Sequence, residues 1–311
     1  MLNKYLPEGC VIGTQENREY ISSLKGLEKA KAEGKILEGI VTVCDSQSLN
    51  LHIDLYGAEG IIKREECVYC DKVKDIAIIT RVGKPVSFKV LEIIKRENER
   101  PLVMLSRREA QRECINNYLM DLIPGDIIPA KITHFEPFGA FVDIGCGVAS
   151  LLSIDSISVS RISNPSERFM LREELKVVVK SVDYDTGRIG VSTKELFGTW
   201  EENVQCFSPG QTVSGIIRSI ESYGIFVELS PNLAGLAELR EDAYVGQSCS
   251  VYIKSIMPEK MKIKLVIIDT YDIQPKQIVK EDYFIDTDTT QHIDYWKYSP
   301  NACNKIVETI F

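Results

Sequence analysis

The sequence predicts an all-β protein built from tandem five-stranded barrels that are joined by short α-helices. The prediction starts from two stretches: "GDIIPAKITHFEPFGAFVDI" from Gly125 aligns without a gap with "GQTVSGIIRSIESYGIFVEL" from Gly210. Each stretch leads into a second group of β-branched strands, and the segments between the copies carry helix-capping patterns. The chain is therefore predicted to repeat one small β module.

The repeat extends over most of the chain. The two stronger copies share these pairs of positions: Gly125 with Gly210, Phe138 with Tyr223, Gly139 with Gly224, Phe141 with Phe226, and Asp143 with Glu228. A fainter copy lies upstream, from Glu38 to Glu66, where "HIDL" takes the place of "FVDI". Strand alternation then puts Ile53 and Leu55 on the core-facing side of this first copy.

The second half of each copy supplies the strands that complete a barrel. In the second copy, "VDYDTGRIGVS" is typical of a hairpin with a glycine-containing turn, and "PEKM" has the same role in the third. Small units of about five short strands favour closed barrels of the oligonucleotide-binding (OB) type, because closure removes exposed strand edges. The fold class is therefore predicted to be tandem OB barrels.

The repeat divides the chain into seven segments. They are an N-terminal helical segment (1–33), a degenerate first barrel (34–105), a linker helix (106–122), a second barrel (123–195), a linker (196–208), a short third barrel (209–268) and a C-terminal tail (269–311).

The connecting segments are predicted to be helical. Ser106 precedes Glu109 by three residues, which is the spacing of a capping box at a helix start. In the N-terminal segment, Tyr20, Leu24 and Leu27 would share one face of a helix. In the second linker, Trp200 is expected to pack against a barrel.

Composition and charge limit the functions to consider. The 311 residues carry a net charge of −8, which opposes a polyanion at long range, although a local groove of stacking residues and a few cations can still bind single strands. No apolar run approaches the roughly 20 residues that span a bilayer, and the N-terminus lacks a signal-peptide core. These features predict a cytoplasmic protein without a membrane partner.

The cysteine and histidine patterns predict neither a metal nor a cofactor. Nine cysteines, an odd number spread over the chain, are typical of reduced thiols. Cys67 and Cys70 form a single CxxC, and no second pair completes a four-ligand zinc site. The three histidines, His52, His134 and His292, are too far apart in sequence to form a local cluster.

The residues with a predicted binding role are aromatic. Phe138 and Phe141 flank Gly139, while Val142 and Ile144 have the parity of core residues and Asp143 shares the parity of Phe141. The aromatic rings could simply seal a barrel edge. Because Tyr223 and Phe226 repeat the pattern, a platform for stacking bases is the favoured interpretation, with Gly139 bending the strand so that both rings face outward.

These motifs resemble the S1 RNA-binding domain, the repeat of the large RNA-binding protein of the bacterial small ribosomal subunit. The resemblance covers roughly Gly34 to Ile268 and is most specific in "PFGAFVDIG", "SLLSID" and "VDYDTGRIGVSTKE" of the second module. It implies an OB barrel with two aromatics, a histidine, an aspartate and an arginine on one RNA-facing side.

The resemblance assigns candidate binding residues position by position. In the second module it implies Phe138, Phe141, Asp183 and Arg188, with Ser153 at the histidine position. In the third module it implies Tyr223, Phe226 and Lys262, with Glu238 at the histidine position and Met257 at the aspartate position. In the first module Leu49 and His52 replace the aromatics, and Lys63 takes the histidine position, so we expect RNA binding to fail there.

The predicted function is that of a non-enzymatic, single-stranded RNA-binding protein without a cofactor. Stacking would hold the RNA, and Arg188, Lys180 and Lys194 would meet phosphates. The family resemblance implies a partner in the small ribosomal subunit and a role in translation or RNA metabolism. Two alternatives stay open: a scaffold that docks on protein, and one part of an RNA-processing enzyme whose catalytic chain is separate. The sequence leaves the oligomeric state open.

Overall fold

The predicted all-β fold class is confirmed: the protein consists of three closed five-stranded barrels with short helices between them. The computed structural model describes residues 4–70, 74–184, 186–272 and 282–311. The chain forms two compact units. One contains the residues up to Leu122 with Pro129–Lys131 and Asp143–Ala149, and the other contains Ile123–Ile128, Ile132–Val142 and Ser150–Phe311.

Barrel 1 closes in the strand order β1-β2-β3-β5-β4, in which β3 and β5 are parallel and the other neighbours antiparallel. Alternate residues of each strand face the core, so Ile53 and Leu55 are buried as predicted. The short helix α3 (Asp75–Ile79) precedes β4. The five strands are β1 (Leu37–Cys44), β2 (Leu51–Leu55), β3 (Ala58–Ile62), β4 (Pro85–Ile94) and β5 (Leu102–Ser106).

Two helices, α1 (Gln15–Ile21) and α2 (Leu24–Glu33), precede barrel 1, so the prediction that Tyr20 shares one helix with Leu24 and Leu27 is wrong. The break has a local cause, because the side chain of Ser23 accepts a hydrogen bond from the backbone N–H of Gly26 and so starts a new helix. The predicted cap at Ser106 is confirmed: its hydroxyl accepts the N–H of Glu109 at 2.9 Å and begins α4 (Arg107–Asn117).

Barrel 2 closes in the order β10-β8-β7-β6-β9, and β10 runs parallel to β8 and antiparallel to β9. Ala140, Val142 and Leu152 are fully buried in it. The strands are β6 (Ile127–Glu136), β7 (Gly139–Asp143), β8 (Ala149–Ser153), β9 (Glu174–Asp183) and β10 (Arg188–Ser192).

Barrel 3 repeats the topology of barrel 1, with the order β11-β12-β13-β15-β14. Trp200 of the short helix α5 (Trp200–Val204) is buried in the same apolar cluster as Ile217 and Val251 of this barrel, as the sequence predicted. The strands are β11 (Thr212–Glu221), β12 (Gly224–Ser230), β13 (Leu233–Ala237), β14 (Ser248–Met257) and β15 (Lys262–Tyr271).

Barrel 3 and most of barrel 2 lie in one compact unit, in which buried polar contacts join them. The carboxylate of Glu228 on β12 accepts hydrogen bonds from the guanidinium groups of Arg168 and Arg218. The side-chain amide of Asn232, which is also buried, donates to the carbonyls of Lys194 and Gly198. Because each polar group has a partner, their burial carries no unpaired charge.

The described part of the tail, residues 282–311, packs on the same unit. Trp296 of strand β16 (Tyr295–Lys297) and Tyr298 are buried in the barrel 3 cluster. Tyr283, Ile285 and Ile293 pack against Ile127, Val178 and Leu196. Strand β17 (Glu308–Ile310) pairs with β16. In the four described ranges, no helix has both the length and the apolar character to cross a membrane.

The contact between His292 and Asp126 predicts a pH dependence of stability. Their side chains lie 2.7 Å apart, and this hydrogen bond to Asp126 raises the pKa of His292 above its ordinary value. A raised histidine pKa contributes stability that is fully present below the unfolded-state pKa, about 6.5, and is lost as the pH rises through the folded-state value. The melting temperature lost in His292→Gln should therefore be larger at about pH 6 than at about pH 8.5. An equal loss at both pH values would contradict the contribution of the charged pair.

Candidate nucleic-acid interface

The aromatic pair of barrel 2 lies on its outer surface. Phe138 occupies the turn between β6 and β7 and is 54% exposed, while Phe141 on β7 is partly buried. Their ring centroids are 6.3 Å apart with an interplanar angle of 84°, an edge-to-face arrangement. The neighbouring Ala140 and Val142 fill the core, so the two faces of β7 are divided as the alternation predicts.

Gly139 allows the turn to approach β8 closely. A Cβ atom at this position would lie 2.4 Å from the carbonyl oxygen of Leu152 and 2.9 Å from the Cα of Ser153. The carbonyl of Phe138 also accepts the N–H of Ile154 at 2.9 Å. The sequence suggested a bend within one strand, whereas the chain actually reverses at Pro137 and Phe138 between two strands. The reversal explains why rings three residues apart share one surface.

Polar side chains, among them Ser153 and Lys180, lie next to the turn that carries Phe138. The hydroxyl of Ser153 donates to the hydroxyl of Ser156 at 2.9 Å, and the ammonium of Lys180 donates to the same oxygen at 3.2 Å. Because Ser153 adjoins Gly139, this chain of hydrogen bonds runs from the turn of Phe138 to an exposed cation. A positive charge therefore stands near the position at which the family has a histidine.

Asp183 and Arg188 lie at the end of the β9–β10 hairpin, where they are Cα partners and both exposed. The Asp183 carboxylate accepts the N–H and the hydroxyl of Thr186, at 3.1 and 2.6 Å, and so shapes the turn. The pairing of β10 with β8 puts Ser192 at the level of Ser153. Arg188 lies four residues before Ser192 on β10, so Arg188 and Ser153 are about 13 Å apart along the strand direction. Together they could contact more than one nucleotide.

Lys194 is less exposed than Lys180 and Arg188. Its side chain is only 21% exposed, its ammonium lies 4.0 Å from a carboxylate oxygen of Glu195, and its carbonyl accepts the amide of Asn232. A contact of Lys194 with RNA phosphate stays a prediction.

Asp143 and Glu228 were expected beside the aromatics, and both are buried. Asp143, 3% exposed, accepts backbone N–H groups of Glu8, Gly145 and Gly147. Burial, followed by the charge of Glu8, raises the pKa of Asp143 to about 7. Burial alone would also raise the pKa of Glu228, but Arg168 and Arg218 hold it below its ordinary value. These carboxylates serve the structure and are not available to a ligand.

His134 is part of the aromatic surface of barrel 2, although the sequence patterns did not identify it as a binding residue. Its ring lies on the ring of Phe141, with centroids 4.5 Å apart and an interplanar angle of 9°. In the alignment of the repeats, position 134 matches Ser219, and the structure shows that Ser219 is the cross-strand partner of Phe226. Sequence spacing alone gave no reason to connect residues on different strands.

Barrel 3 carries a related surface with different polar residues. Tyr223, 67% exposed, and Phe226 are again edge to face, with centroids 6.1 Å apart. Lys262 is exposed and is the Cα partner of Met257 at the end of β14 and β15. Glu238 is exposed after β13, so a carboxylate replaces the Ser153 of barrel 2.

Barrel 1 has no aromatic pair at the equivalent positions. The two nitrogens of His52 lie 3.3 Å from a carboxylate oxygen of Glu59 and 3.2 Å from one of Asp45. Leu49 occupies the turn with a positive φ of 56°, and Lys63 is exposed after β3. This surface offers RNA two carboxylates where barrel 2 offers rings.

Within the described ranges, no group of three or more His, Cys, Asp and Glu side chains is placed to hold a metal ion. Of the two cysteines in the CxxC pair, Cys67 is buried and Cys70 is exposed.

Comparisons with known proteins identify the family of the chain. The model of the S1 RNA binding domain matches residues 121–194, which contain barrel 2. The small ribosomal subunit protein bS1 homolog of Bacillus cereus is 30% identical over 275 residues, which cover 84% of this chain and 67% of the relative. The chain belongs to the bS1 family.

Another bS1 protein, from Staphylococcus aureus, is 28% identical over 275 residues, covering 83% of this chain and 68% of the relative. A solved multidomain protein with nucleic acid binding domains from Streptococcus pneumoniae covers 76% of this chain and 74% of its own, at 13% identity and a TM-score of 0.23. The S1 match includes five candidate residues of this bS1 family member, Phe138, Phe141, Ser153, Asp183 and Arg188, whereas those of barrel 3 lie outside it.

Gly139→Ala should destabilise barrel 2, because the new methyl group would overlap the backbone of β8. Such overpacking typically costs about 1 to 3 kcal/mol in the free energy of unfolding, which urea denaturation would measure. Gly13→Ala is the matched control, since nothing lies within 4 Å of its Cβ position. Equal stability of the two variants would show that the turn can move away from β8 at no cost.

Proposed function

We propose that this protein binds single-stranded RNA, with barrel 2 as its main RNA-binding module, and that it acts with the ribosome and mRNA in translation. The observation that carries the proposal is the pair Phe138 and Phe141, which a tight turn holds on the outer surface of an S1 barrel. Bases that are not paired in a duplex can stack on such rings, and every base has a face that can do so.

The energetics of this surface suit weak sequence preference. Stacking is worth about 1 to 3 kcal/mol per base, and it is tolerant of base identity. Lys180 and Arg188 then supply phosphate contacts at two places along the barrel, so the protein gains affinity without reading base edges. Ser153 supplies a hydroxyl that can bond a phosphate or a 2′-hydroxyl, and Asp183 keeps the hairpin of Arg188 in shape.

Barrel 3 is proposed as a second RNA contact of lower affinity. Its rings, Tyr223 and Phe226, have the geometry of those in barrel 2, and Lys262 provides an exposed cation. The exposed carboxylate of Glu238 repels phosphate at the place where barrel 2 has Ser153.

The setting of this activity is inferred from the relatives, which are named as small ribosomal subunit proteins. We propose that this protein likewise contacts the small ribosomal subunit, that it works in the cytoplasm, and that it is not an enzyme. Of the three barrel segments, 34–105, 123–195 and 209–268, we assign RNA binding to the last two.

A second function, docking on a protein, is favoured for barrel 1. Val43, the cross-strand partner of His52, is 53% exposed, so an apolar side chain stands at the place of His134. Carboxylates flank His52 on both sides, which opposes a polyanion. An apolar and acidic surface of this kind suits a protein partner better than RNA.

Phe138→Ala combined with Phe141→Ala should weaken binding to labelled oligouridylate by about tenfold or more, because two stacking surfaces are removed. Fluorescence anisotropy across a salt titration would measure the change. The control is Leu49→Ala with His52→Ala, the equivalent pair of barrel 1, which should bind as the wild type does. Undiminished binding by the barrel 2 variant would contradict the proposed function.

Arg188→Ala should lower both affinity and its dependence on salt. Each phosphate contact releases counterions, so the slope of log Kd against log salt should fall by about 0.7 to 1. Lys35→Ala is a suitable control, because Lys35 pairs with Glu16 before barrel 1. An unchanged slope would show that Arg188 does not meet a phosphate.

A further inference from the structure

The stack between His134 and Phe141 changes which ring surface is open to a base. The centroid separation of 4.5 Å and the interplanar angle of 9° put the two rings face to face. One face of Phe141 is therefore covered within the protein, whereas the His134 side chain is exposed. The outward end of this two-ring stack is the second face of the imidazole.

The pattern of exposure along β6 fits the placement of His134. Barrels 1 and 3 show a register shift at the equivalent point, between Val41 and Val43 and between Ile217 and Ser219. In barrel 2, Thr133 and His134 are both exposed after the buried Ile132, as expected of a bulge that adds one residue to the strand. His134 accordingly lies against Phe141, as Ser219 is paired with Phe226 in barrel 3.

Hydrogen bonds hold the imidazole in place. The hydroxyl of Thr133 donates to the carbonyl of Phe141 at 2.9 Å, and its oxygen lies 3.2 Å from Nδ1 of His134. Since the hydroxyl hydrogen is already engaged, Nδ1 must carry the hydrogen of the second bond. The ring is therefore fixed in the stack before any ligand arrives, which lowers the entropic cost of binding.

The other two barrels have no ring at this position. Ser219 stands there in barrel 3 and Val43 in barrel 1, each as the cross-strand partner of the residue equivalent to Phe141. The three positions all lie within the described ranges, and the barrels differ there in the type of side chain. Barrel 2 has three rings where barrel 3 has two.

We propose that His134 is a third ring of the RNA platform in barrel 2, on which a nucleotide base stacks. This inference rests on the proposed function. It assigns His134 the role of a ligand-contacting residue, and it predicts that barrel 2 engages one more base than barrel 3. The preformed stack with Phe141 extends the surface outward. Phe138 lies edge to face with Phe141, so the three rings form one surface that can accommodate successive bases of one strand.

The test uses the full chain, a ladder of labelled oligouridylates, and three variants. His134→Ser copies barrel 3 and removes the ring, and it should weaken binding by about 5- to 150-fold, the range that corresponds to one stacked base. It should also shorten by one nucleotide the oligonucleotide length at which affinity stops rising. His134→Phe keeps a ring but loses the bond to Thr133, and it should bind within about threefold of the wild type. Ser219→His should strengthen binding by building the third ring in barrel 3.

The outcomes separate this inference from the proposed function. If Phe138→Ala with Phe141→Ala loses binding while His134→Ser retains it, the platform exists and the role of His134 is overturned. Equal losses in His134→Ser and His134→Phe would also overturn stacking on the imidazole. If neither the double variant nor His134→Ser differs from the wild type, the proposed function fails and the inference fails with it. Unchanged melting temperatures would show that the exposed substitutions leave the fold intact.

Discussion

The candidate interface depends on one close contact, the approach of the β6–β7 turn to the backbone of β8 at Gly139. No side chain fits between residue 139 and the carbonyl of Leu152. The same constraint returns in barrel 3, where a Cβ at Gly224 would lie 2.6 Å from the carbonyl of Ala237. In both barrels the turn carries one exposed aromatic and the following strand carries the other. The edge-to-face geometry of each pair is thus set by the backbone.

When a barrel closes, alternate side chains of each strand fill the core, and the others face outward, where a ligand can contact them. Alternation sends Ala140 and Val142 inward, which leaves Phe141 and its neighbours on the outer surface. Burial can also occur outside the barrel core, and Asp143 and Glu228 show this. Each has the parity of the aromatics, yet each is covered by other parts of its own compact unit and bonded there. Outward parity is therefore necessary for ligand contact and is not sufficient.

The three barrels keep one topology and vary the residues that a ligand would meet. At the positions of Phe141 and His134, barrel 2 has two stacked rings, barrel 3 a ring and a hydroxyl, and barrel 1 a histidine between carboxylates with an exposed valine. Because these positions lie outside the core, their replacement costs the fold little. A gradation of RNA affinity along the chain can therefore be produced without changing the barrel.

The sequence by itself determined the repeat, the all-β class, the cap at Ser106 and the outward position of the two aromatic pairs. These follow from local rules, because alternation, turn composition and capping act between residues that are close in sequence. Only the tertiary structure decided the side-chain contacts between residues that are far apart in sequence. It placed His134 on Phe141, linked Lys180 to Ser153 through Ser156, and buried Asp143. Such contacts depend on strand register and on covering segments, which no local pattern encodes.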